Sequence, residues 1–318
     1  MDFWLTDDHE ALRDGMRAFV QGRFPLDSLH AVEETPAVLD RDRWRELGDM
    51  GVFSMRADGM GMRDAVLAFE ELGRGLVPGP LVATHLAAGL VDGAAEGTAV
   101  VGLFEPQAAG TLVEHATQTD RLLWFDAGTV RLVDPSTLTL VPVERPLDPL
   151  SPVWLCTDEA AALDAPVVAE GEAAAALCRD GLVLTAALAL GLALAAVDLG
   201  TAYAKQREQF GRPIGSFQAV KHMLAEMLVK AEVARSAVYA AACALDDASD
   251  ADPQRSAAVA KVMAGDAALF NGKTGIQVHG GMGFTWEVDA QRYWKRAVVL
   301  DATFGTSDHH ATAIAATL

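Results

Sequence analysis

Leu182 to Val197 is an unbroken apolar run of Leu, Ala, Val, Gly and one Thr, bracketed by Asp180 and Asp198. A helix that is apolar on every face must be surrounded, either by lipid or by other helices. This run is shorter than the roughly 18 apolar residues a spanning helix needs. It is rich in Ala and Gly, has an acidic residue at each end, and continues through Tyr203-Ala-Lys205. The expected solution is a central helix buried in a bundle, with no membrane span.

The rest of the chain changes texture twice. Thr6-Asp7-Asp8-His9-Glu10 reads as an N-cap followed by acidic residues at the positive end of a helix. It leads into Leu12, Met16, Phe19 and Val20 at helical spacing. A second helix is predicted around Asp42 to Met50, stopped by Gly51, and a third over Arg63 to Leu72, stopped by Gly73-Arg74-Gly75. Pro78-Gly79-Pro80 precedes another, through Thr84 to Val91. From Ala99 short β-rich pieces follow: Ala99–Phe104, Arg121–Phe125, Thr129–Val133 and Thr137–Val141, separated by Gly, Pro and Asp. From Glu170 the helical texture returns, broken at Pro213-Ile-Gly215, Asp250-Ala-Asp-Pro253 and Gly280-Gly281-Met-Gly283. Segregated layers of this kind are α+β, not alternating βαβ. The expected organisation is an N-terminal helical domain (1–98), a reduced middle β domain (99–169) and a C-terminal helical bundle (170–318).

Charge removes whole classes of function. A formal net charge of −19 opposes nucleic-acid binding, which needs a basic face to displace phosphate counterions, and opposes docking on an anionic membrane. Cys156, Cys178 and Cys243 form no CxxC pair, which suits a reducing cytoplasm. The acidic N-terminus carries no basic segment followed by an apolar stretch, so no secretory leader is expected.

Most motif-like strings carry little. Gly59-Met-Gly61 follows no strand and Gly280-Gly281-Met-Gly283 closes a helix, so neither suits a dinucleotide-binding βαβ turn. His279 and His309-His310 lack metal-ligand partners at useful spacing. Ser307-Asp308-His309 is contiguous, whereas a catalytic triad is a matter of geometry.

Two strings say more. Arg207-Glu-Gln-Phe210-Gly211-Arg-Pro-Ile-Gly-Ser-Phe217-Gln218 is a helix end, a Gly-Pro corner and a new helix with Ser216 as the expected N-cap. An Arg with a nearby Gln at such a corner can hold a phosphate and a nucleotide edge, although a surface Arg at an ordinary turn has the same pattern. Gln277-Val-His-Gly280-Gly281-Met-Gly283-Phe284-Thr-Trp286-Glu287 is followed by Arg292-Tyr-Trp-Lys-Arg296. A helix stop explains one glycine; three with flanking aromatics suit close approach of backbone to a ligand.

Together the two strings resemble the acyl-CoA dehydrogenase family, with its R-x-x-F-G-x-x-I-x-x-F-Q corner and its later Q-x-x-G-G-x-G-[YF]-x-x-E segment. Glu70-Glu-Leu-Gly-Arg74 and Trp44-Arg-Glu-Leu-Gly-Asp-Met-Gly-Val52 are similar to further segments of that family, so the resemblance spans nearly the whole chain. It implies FAD bound between subunits and an acyl-CoA substrate. By position it implies that Arg207, Phe210, Gln218, Gln277, Gly280 and Gly281 bind the pyrophosphate and adenine end of a neighbour's flavin.

The chain also departs from the family. The family's base, a Glu in a Y-E-G-T segment, is replaced by Phe304 in Thr303-Phe304-Gly305-Thr306, and the alternative position on the central helix falls at Gly181. Neither residue accepts a proton, so no catalytic residue is assigned. The flavin-cradling T-E-P-x-x-G-S-D loop is reduced to Phe104-Glu105-Pro106-Gln107-Ala-Ala-Gly110, and the V-P-E-E-Y-G-G stretch to Met55-Arg-Ala-Asp-Gly59. The pattern is similar to that of the small degenerate subunits of actinobacterial heteromeric acyl-CoA dehydrogenases of sterol side-chain type. It implies a longer partner subunit that supplies the Glu, a heterotetramer with two copies of each chain, and an acyl-CoA substrate such as a steroid-CoA. Two alternatives stay open: a self-sufficient homomer with a displaced base, for which Asp180 is the candidate, and a non-catalytic structural or regulatory partner.

Overall fold

The computed structural model describes residues 4–27, 38–105, 110–126, 128–247 and 251–316. The chain divides into two compact units. One comprises Met1–Glu33, Val66–Val77 and Leu182–Leu318; the other comprises Glu34–Ala65 and Pro78–Gly181.

The first unit is helical. α1 (Asp7–Arg23) starts where the sequence places it: the Thr6 hydroxyl accepts from the His9 amide, and the His9 ring accepts from the Thr6 amide. Met16 and Val20 are buried. Further on in the chain come α2 (Arg41–Asp49), α3 (Met62–Arg74), α4 (Leu81–Leu86), α5 (Ala160–Leu163), α6 (Glu172–Gln206), α7 (Gln218–Asp246), α8 (Pro253–His279), α9 (Ala290–Ala302) and α10 (Ser307–Ala315). In this unit α7, α9 and α10 all pack on α8.

The apolar run lies within α6, whose most apolar window is 89% buried. The amide of buried Asn271 donates to the Ala193 and Met227 carbonyls, 3.0 Å each, tying α8 to α6 and α7. Ala196 faces Gly275 and Met227 faces Gly200, so α6 and α8 run parallel with α7 antiparallel between them. Both helix C-termini and the start of α7 therefore meet at one end of the bundle.

The second unit holds α2, α4, α5 and the sheets. The Asp40 side chain accepts from the Asp42 and Arg43 amides to start α2, and Gly51 (φ +76) stops the chain just beyond it. The strands are β1 (Val101–Phe104), β2 (Thr111–Glu114), β3 (Arg121–Asp126), β4 (Thr129–Val133), β5 (Thr139–Pro142), β6 (Val153–Asp158) and β7 (Val167–Glu170). They form a four-stranded sheet, β1-β3-β4-β7, and an antiparallel three-stranded sheet, β2-β6-β5. β1 and β3 are parallel, while β3-β4 and β4-β7 are antiparallel. Their core joins Phe104, Val113, Leu122, Trp124, Val133 and Cys156, with Phe104 edge-on to Trp124 at 5.7 Å.

Several expectations need correction. The helix predicted over Thr84 to Val91 is only α4, ending at Leu86. The chain then turns through Gly89 and Gly93, both with left-handed φ of +82. The central helix starts at Glu172, ahead of the apolar run, so Asp180 is an internal helical residue. Ser216 does not cap α7: the N-cap is Phe217, which makes no side-chain cap bond, because Ile214–Ser216 form a 3₁₀ turn. β2, β6 and β7 were not foreseen. Positions 106–109 of the shortened flavin-loop string, and Asp250, lie outside the described residues.

Candidate functional site

The candidate residues gather at the shared end of α6, α7 and α8. α6 passes into a hairpin of β8 (Glu208–Gln209) and β9 (Arg212–Pro213), with Phe210 and Gly211 at its tip. Phe210 is a non-glycine residue in left-handed conformation (φ +54) and is 93% exposed. That combination exposes a large apolar ring in strained backbone, the kind of feature that collects at ligand sites. The Phe217 ring organises the hairpin from below: Phe210 meets it edge-on at 6.1 Å, and the Arg212 guanidinium lies 4.1 Å from its centroid.

Arg207, Gln218 and Gln277 are exposed. Arg207 follows directly on α6, Gln218 is the first residue of α7, and Gln277 lies on the last turn of α8. α8 ends at Gly280 (φ +62, ψ −140), a conformation open essentially to glycine. A Cβ added at Gly280 or Gly281 would meet nothing within 4 Å. The two glycines thus leave a bare stretch of backbone facing open space, beside the exposed Phe284. An arginine, two amide side chains, an aromatic ring and accessible glycine backbone make a donor set that fits the diphosphate and base of a dinucleotide. The shortened flavin-loop string lies partly outside the described residues.

Tyr203 and His279 join the two strings, and the sequence reading gave neither a role. Their rings stack at 4.2 Å with an interplanar angle of 27°. His279 is buried and its Nδ1 donates to the Gly275 carbonyl at 2.7 Å. Burial lowers its pKa, so the ring is neutral at neutral pH. Both residues lie at recognisable places, Tyr203 one helical turn before Arg207 and His279 next to Gly280, but adjacency in space was not legible.

The Thr303–Thr306 segment is tightly built around Phe304, a side chain that cannot accept a proton. Phe304 is buried in left-handed conformation (φ +56), and its carbonyl accepts from His310 Nε2 at 2.8 Å. The ammonium of buried Lys261 donates to the Leu300 and Asp301 carbonyls at 2.6 and 3.0 Å, capping α9. Asp301 accepts from the Ser307 amide and hydroxyl, and the Thr306 hydroxyl accepts from the His309 amide to start α10. Ser307-Asp308-His309 is therefore a helix start. Gly181 is buried within α6. Its neighbour Asp180 is ion-paired to Arg56 at 3.4 Å.

Glu70 is a buried carboxyl whose pKa is shifted by its surroundings. It is buried on α3, accepts from the Tyr239 hydroxyl at 2.9 Å and lies 4.0 Å from Arg235. Burial raises its pKa, with Arg235 and Tyr239 pulling the other way. A carboxyl whose native pKa lies above its unfolded one contributes stability that is intact at low pH and is lost as pH rises through the native value. Glu70→Gln keeps an acceptor for Tyr239, and Arg235 retains Glu232 at 2.6 Å. The variant is expected to be more stable than the parent by about 1 kcal/mol at pH 8 and nearly equal at pH 4. Urea unfolding at the two pH values measures this; a destabilised variant at pH 8 contradicts it.

The sequence matches the family model described as acyl-CoA dehydrogenase, N-terminal domain, over residues 6–97, and acyl-CoA dehydrogenase, C-terminal domain, over residues 180–318. It is 31% identical to acyl-CoA dehydrogenase IpdE2 of Mycolicibacterium smegmatis over 313 residues, covering 92% of this chain and 93% of that one. It is 32% identical to acyl-CoA dehydrogenase FadE34 of Mycobacterium tuberculosis over 344 residues, covering 95% of this chain but 47% of FadE34. Among solved structures, a variant of the Tcur3481-Tcur3483 steroid ACAD superposes with a TM-score of 0.81 at 25% identity, covering 97% of each chain. On the strength of both domain models and a full-length relative, this chain belongs to the acyl-CoA dehydrogenase family of FAD-dependent oxidoreductases.

Proposed function

We propose that this chain is the short subunit of a two-chain, cytoplasmic acyl-CoA dehydrogenase. In this reading it grips the dinucleotide tail of FAD, while a longer partner supplies the Glu base and the flavin-ring pocket. The observation that carries it is Phe304, a buried apolar side chain on a rigidly capped turn where the family places its proton acceptor. When bound, FAD supplies the hydride-accepting chemistry of α,β-desaturation. The work of this chain is binding and orientation. Arg207, permanently charged, offers a guanidinium fork to the diphosphate. Gln218 and Gln277 offer amide donors and acceptors, the Phe210 ring offers a stacking face, and Gly280 and Gly281 admit the ligand to the backbone. No proton moves at position 304.

FadE34 supports a two-chain arrangement, because this protein aligns with about half of that single longer chain. Similarity to the Tcur3481-Tcur3483 steroid ACAD favours a heterotetramer with two copies of each chain and a steroid-CoA as the acyl-CoA substrate. Co-expression with a longer, Glu-bearing acyl-CoA dehydrogenase chain from the same source tests the reading. The pair should retain one flavin per short-plus-long unit, and Arg207→Ala should weaken flavin retention about tenfold or more. Stoichiometric flavin and full turnover in the solitary short chain would refute it.

A further inference from the structure

Arg207 and Gly280 are 73 positions apart in sequence and share no backbone hydrogen bond, yet a diphosphate held by both segments needs them at a set spacing. The stack of Tyr203 on His279 stands between them. On one side, the Arg207 amide donates to the Tyr203 carbonyl at 2.8 Å, and the Ile214 amide donates to the Arg207 carbonyl at 2.8 Å. Arg207 is thereby held in the β8–β9 hairpin and hung directly on Tyr203. On the other side, His279 is the last residue of α8, and the backbone reverses at Gly280 immediately after it. The His279 ring cannot swing, because it is buried. Any shift of one ring is therefore transmitted to the other string through one hydrogen bond or one peptide.

We propose that the Tyr203–His279 stack is the positioning element of the nucleotide grip, setting the distance between the Arg207 hairpin and the Gly280-Gly281 backbone. The inference rests on the reading that these two segments hold the dinucleotide tail. Ligand geometry is demanding: displacement by ~1 Å of a positioning group can forfeit orders of magnitude in function. Tyr203 and His279 act through Arg207 and Gly280, without touching the ligand themselves. Nothing in the hydroxyl or the second ring nitrogen is needed for this role; an aromatic face on each side is.

That distinction makes the proposal testable on the isolated chain. Three variants are compared with the parent: His279→Ala, His279→Phe and Tyr203→Phe. Amide hydrogen exchange is followed at residues 207–217, with α8 amides between Ala257 and Ala268 as the internal reference. ADP is titrated calorimetrically as the probe for the tail. His279→Ala is expected to speed exchange in the hairpin and weaken ADP binding, each about tenfold, with the α8 reference unchanged. His279→Phe and Tyr203→Phe should stay near the parent in both. Unchanged hairpin exchange in His279→Ala overturns the proposal. So does a folded His279→Phe that behaves like His279→Ala, because the ring face then is not what matters. If the parent itself fails to bind ADP, the tail-binding reading falls, while the exchange comparison still decides whether the stack couples the two segments.

Discussion

Gly191→Ala is expected to lower stability by about 3 kcal/mol, a large loss for one methyl group. Gly191 lies on α6, and a Cβ there would sit 2.0 Å from the Glu70 carbonyl oxygen of α3. The contact is reciprocal: a Cβ at Gly73 on α3 would sit 2.2 Å from the Leu188 carbonyl oxygen of α6. Two glycines thus let the two helix backbones touch. Alanine is the better helix former by roughly 1 kcal/mol, so propensity alone predicts stabilisation. The clash decides the sign, because the obstructing atoms are main-chain carbonyls that cannot rotate away. The helices must separate, and the packing around Leu188, Leu192 and Leu72 opens with them. The expected fall in melting temperature is on the order of 4–5 °C. Gly281→Ala, whose added methyl faces open space, is the control and should melt within about 0.5 kcal/mol of the parent. Thermal unfolding that shows Gly191→Ala and Gly281→Ala alike would disprove the close approach.

A loss of similar size is expected for Arg17→Ala. Glu71 on α3 is nearly inaccessible, its side chain 2% exposed, and Arg17 of α1 holds it in a two-pronged bond: Nη2 to Oε1 at 2.7 Å and Nε to Oε2 at 3.0 Å. Arg74 stands further off at 3.7 Å and is committed to Asp198 at 2.6 Å. Deleting Arg17 leaves a buried carboxylate without a hydrogen-bonded cation, which costs about 3 kcal/mol. The pair itself is weak evidence of net stability, since burying two charges consumes most of their attraction. The double replacement Arg17→Met with Glu71→Leu should therefore cost clearly less than Arg17→Ala alone. Chemical denaturation of the three proteins checks this order; a double variant less stable than the single one would show that the ion pair is a net contributor.

How far the sequence could be read depended on whether the signal was local. The start of α1 is a case of full legibility: Thr6, the acidic turn after it and the spacing of Met16 and Val20 all act within one or two helical turns. α2 ended where Gly51 predicted for the same reason. The sheet unit was read half correctly. β1, β3, β4 and β5 carry dense β-branched and apolar residues, whereas β2, β6 and β7 were missed. β2 and β7 are four-residue strands at sheet edges, and β6 starts just after Pro152. Such strands form because a neighbour offers hydrogen bonds, not because their own residues insist. Ser216 shows the opposite error. It has a good capping side chain, but the chain tightens into a 3₁₀ turn and hands the position to Phe217, leaving the Ser216 hydroxyl buried without a partner.

What the amino-acid order determined by itself was the bundle and the chemistry each position can offer. An all-apolar segment too short for a membrane has to be wrapped by helices, and Phe304 and Gly181 cannot take up a proton in any conformation. What only the tertiary structure decided was proximity. The parallel course of α6 and α8, fixed by Asn271 and by the glycine contacts between helices, carries Tyr203 onto His279 and so brings the Arg207 hairpin beside the Gly280 turn. Spacing along a chain records what each residue can do; which distant residues do it together depends on packing, and packing is a property of the whole fold.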